Sequence, residues 1–396
     1  MANKNDTTKQ KLAIVTTHPI QYYAPIFRLL TQRGKVEVKV FYTWSQAQEK
    51  KYDPDFKKEV VWDIDLLGGY HYTFVNNVSS RPGSSHFRGI DNPTLVAEIG
   101  EWEPTAMLVF GWAFKSHLAV LRNFKGNVPV YFRGDSTLLD EPASFSIKKM
   151  LRRLFLRWVY TYVDYALYVG NNNKQYFGKH GLQNRQLIKA PHAIDNLRFS
   201  SYSTGQIDHK NEWRQNRAIP LNAMVFLFVG KFSEKKDPLC LLNAFLQINQ
   251  PSACLVFVGN GELEDALKQA AFGYENIFFE PFQNQTQMPG IYKACDVYVL
   301  PSKGPGETWG LAVNEAMACA KPVVVSNKCG CASDLVKQGE NGFTFSAGNV
   351  DQLAAILQGF VTGKHNTEAM GKQSIEIIRN YSFAAICAAI ENHLLH

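Results

Sequence analysis

A chain of 396 residues exceeds what one hydrophobic core usually organises, so two domains of about 200 residues are expected. Hydrophobic residues at 45% and charged residues at 19% fit a globular protein and exclude extensive disorder, while a net charge of +7 favours acidic partners such as sugar nucleotides, pyrophosphate lipids or an anionic membrane surface. No stretch approaches the roughly 18 consecutive apolar residues of a membrane span, and no helix-turn-helix, zinc-finger or RNP-like pattern accompanies the charge, so nucleic acid is not an expected partner.

The opening residues, MANKNDTTKQ, are polar and lead straight into the strand-like KLAIVTT (11–17), without the charged and apolar regions of a secretion signal. A cytoplasmic protein is therefore expected. The loop after that run places His18, Gln21 and Tyr22 at a strand end, although a His in such a place is more often packed or merely exposed. VEVKVFY (36–42), AMLVFGW (106–112), VPVYF (128–132) and YALYV (165–169) follow, separated by helical stretches, which implies a parallel sheet covered on both faces. Arg81 and Arg88 lie in a connecting loop (79–89), and Arg133 and Asp135 directly follow the fourth run. Arg133 could bind phosphate and Asp135 could orient a hydroxyl, or the two could form a local salt bridge or cap.

Between them and the fifth run, Leu151, Leu154, Phe155 and Trp158 recur at helical spacing among the cations of residues 148–157. Such a helix either lies on an anionic membrane surface or packs on its own sheet, and packing is the commoner arrangement. The polar stretch 200–217 has no apolar periodicity and reads as the connection between domains. A second series of strand-like runs then begins: AMVFLFVG (223–230), ACLVFVGNG (253–261), NIFFEPF (276–282), DVYVLPS (296–302) and KPVVVSN (321–327).

Three turns in this second series carry chemistry. Gly230 and the cations Lys231 and Lys236 occupy the first strand-to-helix turn, where a diphosphate needs positive charge, although a Lys-rich turn alone is usually a solvated loop. The Gly259-Asn260-Gly261 turn lacks the third glycine of a dinucleotide fingerprint and is weak evidence by itself. Glu307 and Glu315 flank the turn into the helical run 311–319. Ligands of open α/β sheets bind at the strands' carboxyl ends, and the N–H groups of Gly310 and Leu311 at a helix start suit an anion. The plain alternative makes Glu307 a first-turn helix charge and Glu315 a solvated helix-face residue. All seven cysteines fall in the C-terminal half, several within apolar runs, and read as reduced and structural; Cys329 and Cys331 are too close together for a zinc pair.

The continuous string ETWGLAVNEAMACAKPVVVS (307–326), extended by Asp334, Leu335, Val336 and Gly342, resembles the Glu-x7-Glu signature of retaining family-four glycosyltransferases. That resemblance implies an α/β architecture of GT-B type, two Rossmann-like domains with parallel sheets facing across a cleft. Residues 1–200 would bind acceptor and 201–380 the nucleotide sugar, with a helix at 381–396 crossing back to the first domain. It further implies Glu307 at the donor sugar, Glu315 at the ribose hydroxyls, and Lys231 and Lys236 in the place of a Gly-Arg-Leu-x-x-x-Lys phosphate motif. The Arg-to-Lys change at Lys231 loses the bidentate fork. Phe282 and Gln283 match a strand end whose backbone holds the nucleobase, and the amides beyond Trp309, at Gly310 and Leu311, would face the diphosphate.

Many relatives have a His where this chain has Arg133, so Arg133 and Asp135 become the candidates for the reacting face. His18, Gln21 and Tyr22 resemble the acceptor loop of a subset. Pro191-His192-Ala193-Ile194-Asp195 resembles a Pro-Asn-Gly-Val-Asp segment that supports the fold. No Asp-x-Asp motif stands where it would hold a metal between phosphates, so transfer with no metal or other cofactor is expected, with retention at the anomeric carbon. The acceptor would be a saccharide or a lipid-linked sugar in surface polysaccharide assembly. The rival readings are a phosphorylase or epimerase of the same fold, or a non-enzymatic sugar-nucleotide-binding protein.

Overall fold

The computed structural model describes residues 9–48, 51–53, 58–60, 62–142, 144, 146–201 and 209–395. Its elements begin with β1 (Lys11–Thr16), α1 (Ala24–Arg33), β2 (Glu37–Tyr42), the hairpin β3 (Lys51–Asp53) and β4 (Lys58–Val60), and β5 (His71–Phe74). There follow α2 (Leu95–Glu101), β6 (Ala106–Phe110), α3 (Lys115–Phe124), β7 (Val130–Arg133), α4 (Ile147–Tyr160), β8 (Tyr165–Tyr168), α5 (Asn171–Lys179) and β9 (Leu187–Lys189). Two short helices, α6 (Asn196–Ser200) and α7 (His209–Gln215), lead to the second series. It comprises β10 (Met224–Val229), α8 (Pro238–Ile248), β11 (Ala253–Val258), α9 (Glu264–Ala270), β12 (Ile277–Glu280), α10 (Met288–Ala294) and β13 (Val297–Leu300). The chain ends with α11 (Leu311–Ala318), β14 (Val323–Ser326), α12 (Ala332–Leu335), β15 (Gly342–Phe345), α13 (Val350–Val361), α14 (Thr367–Ile378) and α15 (Phe383–Leu395).

The first sheet has the order β5-β2-β1-β6-β7-β8-β9 and the second β12-β11-β10-β13-β14-β15. Every pairing within them is parallel, for example Leu12 with Ala106 and Phe226 with Val297. The apolar runs become strands because both faces are covered: β6, β11, β13 and β14 are buried along their whole lengths. Each large apolar side chain removed from water contributes about 1.5–3 kcal/mol, and Phe226, Phe228, Phe257 and Phe232 concentrate that gain behind the β10 and β11 ends. Helix starts are fixed locally, by Pro238 and Pro289 in the first turns of α8 and α10, and by Asn349 accepting the Gln352 amide at α13. Two Rossmann-like units with the carboxyl ends of their sheets turned to one cleft constitute the GT-B fold.

β5, β9 and β15 extend the sheets beyond the runs identified in the sequence. The stretch 200–217 also differs from a bare connection. Residues 202–208 lie outside the described residues, but 209–215 form α7, and its Arg214 is fully buried, donating to Ala294 O at 2.8 Å and to Asp296 Oδ2 at 2.8 Å. A buried ion pair, which hydrophobic periodicity does not register, anchors this helix to the second unit. The last helix, α15, buries Ile386, Cys387 and Ile390 in the core of the first sheet beside α1. Its Glu391 is paired with Arg33 and Lys35, each at 3.3 Å.

Candidate active site

Backbone shape opens the site. Gly259 stands so close to the preceding turn that a Cβ there would lie 2.0 Å from Gly230 O, so the β10 and β11 ends pack backbone to backbone. Asn260 then fixes the next strand end, its Oδ1 accepting the Phe282 amide at 2.9 Å. Gly310 starts α11 at φ +97°, a left-handed conformation that turns the chain from the Glu307 loop into the helix.

A cavity of about 310 Å³ occupies the cleft between the two sheets. From the second unit it is lined by Gly230, Lys236, Phe282, Gln283, Leu311 and Glu315, and from the first by Gln21, Tyr22 and Trp62. Its size suits a drug-sized ligand such as a nucleotide. Three candidate groups of the second unit that lie far apart in sequence, at 230–236, 282–283 and 311–315, thus meet at one place.

The two carboxylates have opposite surroundings. Glu307 is 6% exposed; its Oε2 is 2.6 Å from Lys236 Nζ and accepts the Ser302 hydroxyl at 3.0 Å. Burial alone would raise this carboxyl, but Lys236, Lys235 and Ser302 outweigh it and hold it below the ordinary value. Glu315 is 3% exposed and has no cation in contact: Tyr22 donates to Oε1 at 3.0 Å and Tyr292 to Oε2 at 2.9 Å. Burial raises the Glu315 carboxyl, and the two phenols, assisted by more distant Arg198, only partly offset it. Burial and then the Glu315 charge keep both phenols protonated, as donors.

Other candidates lie elsewhere. Tyr22 and Gln21, expected on the acceptor side, lie in the turn just before α1 and line the same cavity as Glu315. His18 packs edge-on against Trp44 at 5.3 Å and meets the Thr17 hydroxyl, outside that lining. Lys231 is likewise outside it. Trp309 is buried, with its indole N–H donated to Asn314 at 2.8 Å, so its side chain braces α11 and does not face the cavity.

Arg133, expected at the reacting face, is 2% exposed and donates to Ala190 O at 2.7 Å and Pro191 O at 3.3 Å. Its guanidinium ties β7 to the segment after β9, a structural role in place of the expected one. Asp135 does reach across the cleft, accepting the Thr308 hydroxyl at 2.7 Å, one residue after Glu307.

Sequence reasoning missed four participants. Tyr292 and Ser302 hold the carboxylates, and Trp62 closes the cavity with its ring 6.5 Å from that of Phe282. His192, assigned only to the fold, lies 3.8 Å from Asp135 and 5.5 Å from the Trp309 ring; burial lowers its pKa, opposed by Asp135, which favours a neutral imidazole. Its signal was present, since a His stood where the resembling segment has Asn. Among the described residues, no cluster of three or more His, Cys, Asp or Glu side chains could hold a metal ion.

The fold defines two Rossmann-like units that meet at one cleft, and comparison with known proteins finds matches to the second unit. Residues 209–377, less than half of the chain, match the family model for Glycosyl transferases group 1. The chain is similar to sulfoquinovosyl transferase SQD2 of Arabidopsis thaliana, 29% identical over 169 residues, which cover 42% of this chain and 32% of that protein. It is also similar to the UDP-Gal:alpha-D-GlcNAc-diphosphoundecaprenol alpha-1,3-galactosyltransferase of Escherichia coli, 33% identical over 147 residues, 34% of this chain and 36% of that one. The matched part thus spans about a third of the length of these curated relatives. Over the whole chain, the crystal structure of Anabaena Alr3699/HepE in complex with UDP shares the fold, with a TM-score of 0.72, 19% identity and coverage of 98% of this chain and 99% of that one.

Proposed function

We propose that the protein is a retaining, metal-independent glycosyltransferase that moves a sugar from a nucleotide diphosphate sugar to a saccharide or lipid-linked acceptor. The observation that carries this reading is that Lys236 and Glu315 line one cavity and Glu307 is ion-paired to that same Lys236, with the two carboxylates shifted in opposite directions. The nucleobase lies by Phe282 and Gln283, and the ribose hydroxyls displace or join the phenols on Glu315. The diphosphate meets Lys236 and the amides of Gly310 and Leu311 at the start of α11, where a helix end favours negative charge. Those groups stabilise the charge that develops as the bond from the anomeric carbon to phosphate breaks.

Glu307, kept ionised by Lys236, accepts hydrogen bonds from the donor sugar's hydroxyls; a charged acceptor makes these roughly twice as strong as neutral ones. The acceptor hydroxyl approaches on the face that the diphosphate leaves, bonds to the anomeric carbon and passes its proton to the departing phosphate oxygen. Asp135, held against Thr308, borders that face. UDP is the first nucleotide to test, because a UDP-sugar names one relative and UDP occupies one structure of the same fold.

Surface polysaccharide assembly at the cytoplasmic side of the cell membrane, with peripheral contact, fits this acceptor class. No helix among the described residues is long and apolar enough to cross a membrane. Acceptor-dependent sugar transfer from a panel of UDP-sugars, lost in Glu307→Gln, is the test. Nucleotide binding with no transfer to any saccharide or lipid-linked acceptor supports a binding protein instead, and conversion of the donor without acceptor supports an epimerase.

A further inference from the structure

Helix α4 buries one face and leaves an equally apolar face in the open. Leu156, Val159 and Tyr160 pack on the first unit. At about 100° per residue, the opposite side carries Ile147, Met150, Leu151, Leu154, Phe155 and Trp158, which are 66%, 45%, 57%, 55%, 41% and 40% exposed. The packing expected of Leu151, Leu154, Phe155 and Trp158 is therefore not what the structure shows. Of the large apolar side chains exposed among the described residues, this helix alone supplies six, in one stripe. Monomers rarely expose a contiguous apolar strip without using it.

The stripe's edges identify its partner. Lys148 and Arg152 border one side and Arg157 the other, and none is paired with a carboxylate among the described residues. Lys149 and Arg153, farther round the helix, are bound to Glu141 at 3.2 and 2.9 Å. One end of the stripe joins a chain of aromatic rings, Trp112–Phe155 at 5.4 Å, Phe155–Trp158 at 5.6 Å and Trp158–Tyr162 at 5.4 Å. Apolar side chains between rows of cations, ending in Trp and Tyr, match a helix lying in the headgroup layer of an anionic bilayer.

We propose that the outer face of α4 docks the protein on an anionic bilayer. A cavity of about 360 Å³ beside the first turns of α4 is lined by the cations Lys148, Lys149 and Arg152, by the carboxylates Asp140 and Glu141, and by Gly306 and Thr308 of the turn that bears Glu307. A lipid-linked acceptor held at the docked face would reach the Glu307 turn through this cavity. This last role rests on the transferase reading; the docking does not.

The test is co-sedimentation of the full chain with phosphatidylcholine vesicles, with and without phosphatidylglycerol. The expected result is binding that requires phosphatidylglycerol and weakens with salt. Leu151→Glu/Leu154→Glu should lose about tenfold or more of that binding, and Lys148→Gln/Arg152→Gln a comparable amount. The leucine variant should keep its circular dichroism and its UDP binding, since both side chains are already in solvent. Wild-type protein that stays in the supernatant, or equal binding by the leucine variant, overturns the proposal. So does a concentration-dependent dimer that the leucine variant abolishes, which would assign the stripe to a second copy. Vesicle binding by a chain that binds no nucleotide would leave the docking standing and remove the transferase reading.

Discussion

Glu307 and Glu315 stand on either side of one helix start, yet the protein holds them by opposite means. Glu307 is matched by a lysine within contact distance and is ionised with ease. Glu315 receives only tyrosine hydroxyls, and burial makes its charge costly. The difference teaches that a motif of two spaced acids is not two copies of one role. The first is a buried anion matched by a cation, and the second is a buried carboxylate held by hydroxyl donors alone.

The comparison breaks first at Glu307. Glu307→Gln should lower the initial rate of transfer by at least about a hundredfold while nucleotide affinity changes little, as fits the loss of an interaction made mainly in the transition state. A rate within a few-fold of wild type would reduce Glu307 to a counter-ion of Lys236.

Lys236→Ala removes the cation itself. A charge-assisted contact is worth about 1.5–3 kcal/mol, so nucleotide affinity measured by calorimetry should fall about 10- to 100-fold. Melting should also occur at a lower temperature, because the Glu307 carboxylate keeps only Ser302 in contact. Unchanged affinity would place the diphosphate away from Lys236.

The sharpest form of the comparison is its pH dependence. The Glu307 pKa is lowered on folding, so its contribution is present above the ordinary carboxyl value and is lost as pH falls through the lowered one. The Glu315 pKa is raised, so the folded state loses stability as pH rises from the ordinary value through the raised one. Below about pH 4.5 the melting-temperature advantage of wild type over Glu307→Gln should therefore shrink as pH falls, whereas above about pH 4.5 Glu315→Gln should gain on wild type as pH rises. Parallel trends in the two variants would erase the distinction.

The smallest effect on binding is expected at Arg133. Arg133→Met leaves two buried carbonyls without charged donors and should cost about 1–3 kcal/mol of stability, with UDP affinity retained. A loss of affinity without a loss of stability would return Arg133 to the reacting face.

The second unit was the more legible half because its chemistry is contiguous in sequence. Glu307, Gly310 and Glu315 occur in one short string, and β10, β11, β13 and β14 are unbroken apolar runs whose only stable place is a covered parallel sheet. The first unit contributes through distance: Tyr22 meets Glu315 across 293 positions, a pairing that no local spacing encodes. β5 and β9 are short and largely not buried, so neither alternation nor an apolar run announces them. Arg133 misled because an arginine after a strand looks free to bind phosphate until the carbonyls around it are known. For α4, periodicity revealed one apolar stripe, Leu151, Leu154, Phe155 and Trp158, but only the structure shows that it stays exposed while Leu156, Val159 and Tyr160 are covered.

The most direct measurement is calorimetric titration of wild type and Glu315→Gln with UDP, GDP and ADP. A nucleotide-sugar cleft between these two units should bind one of them, and Glu315→Gln should bind it about tenfold more weakly through loss of a charged acceptor for ribose. Failure of all three to bind a chain that melts cooperatively would contradict the donor site, and with it the transferase reading.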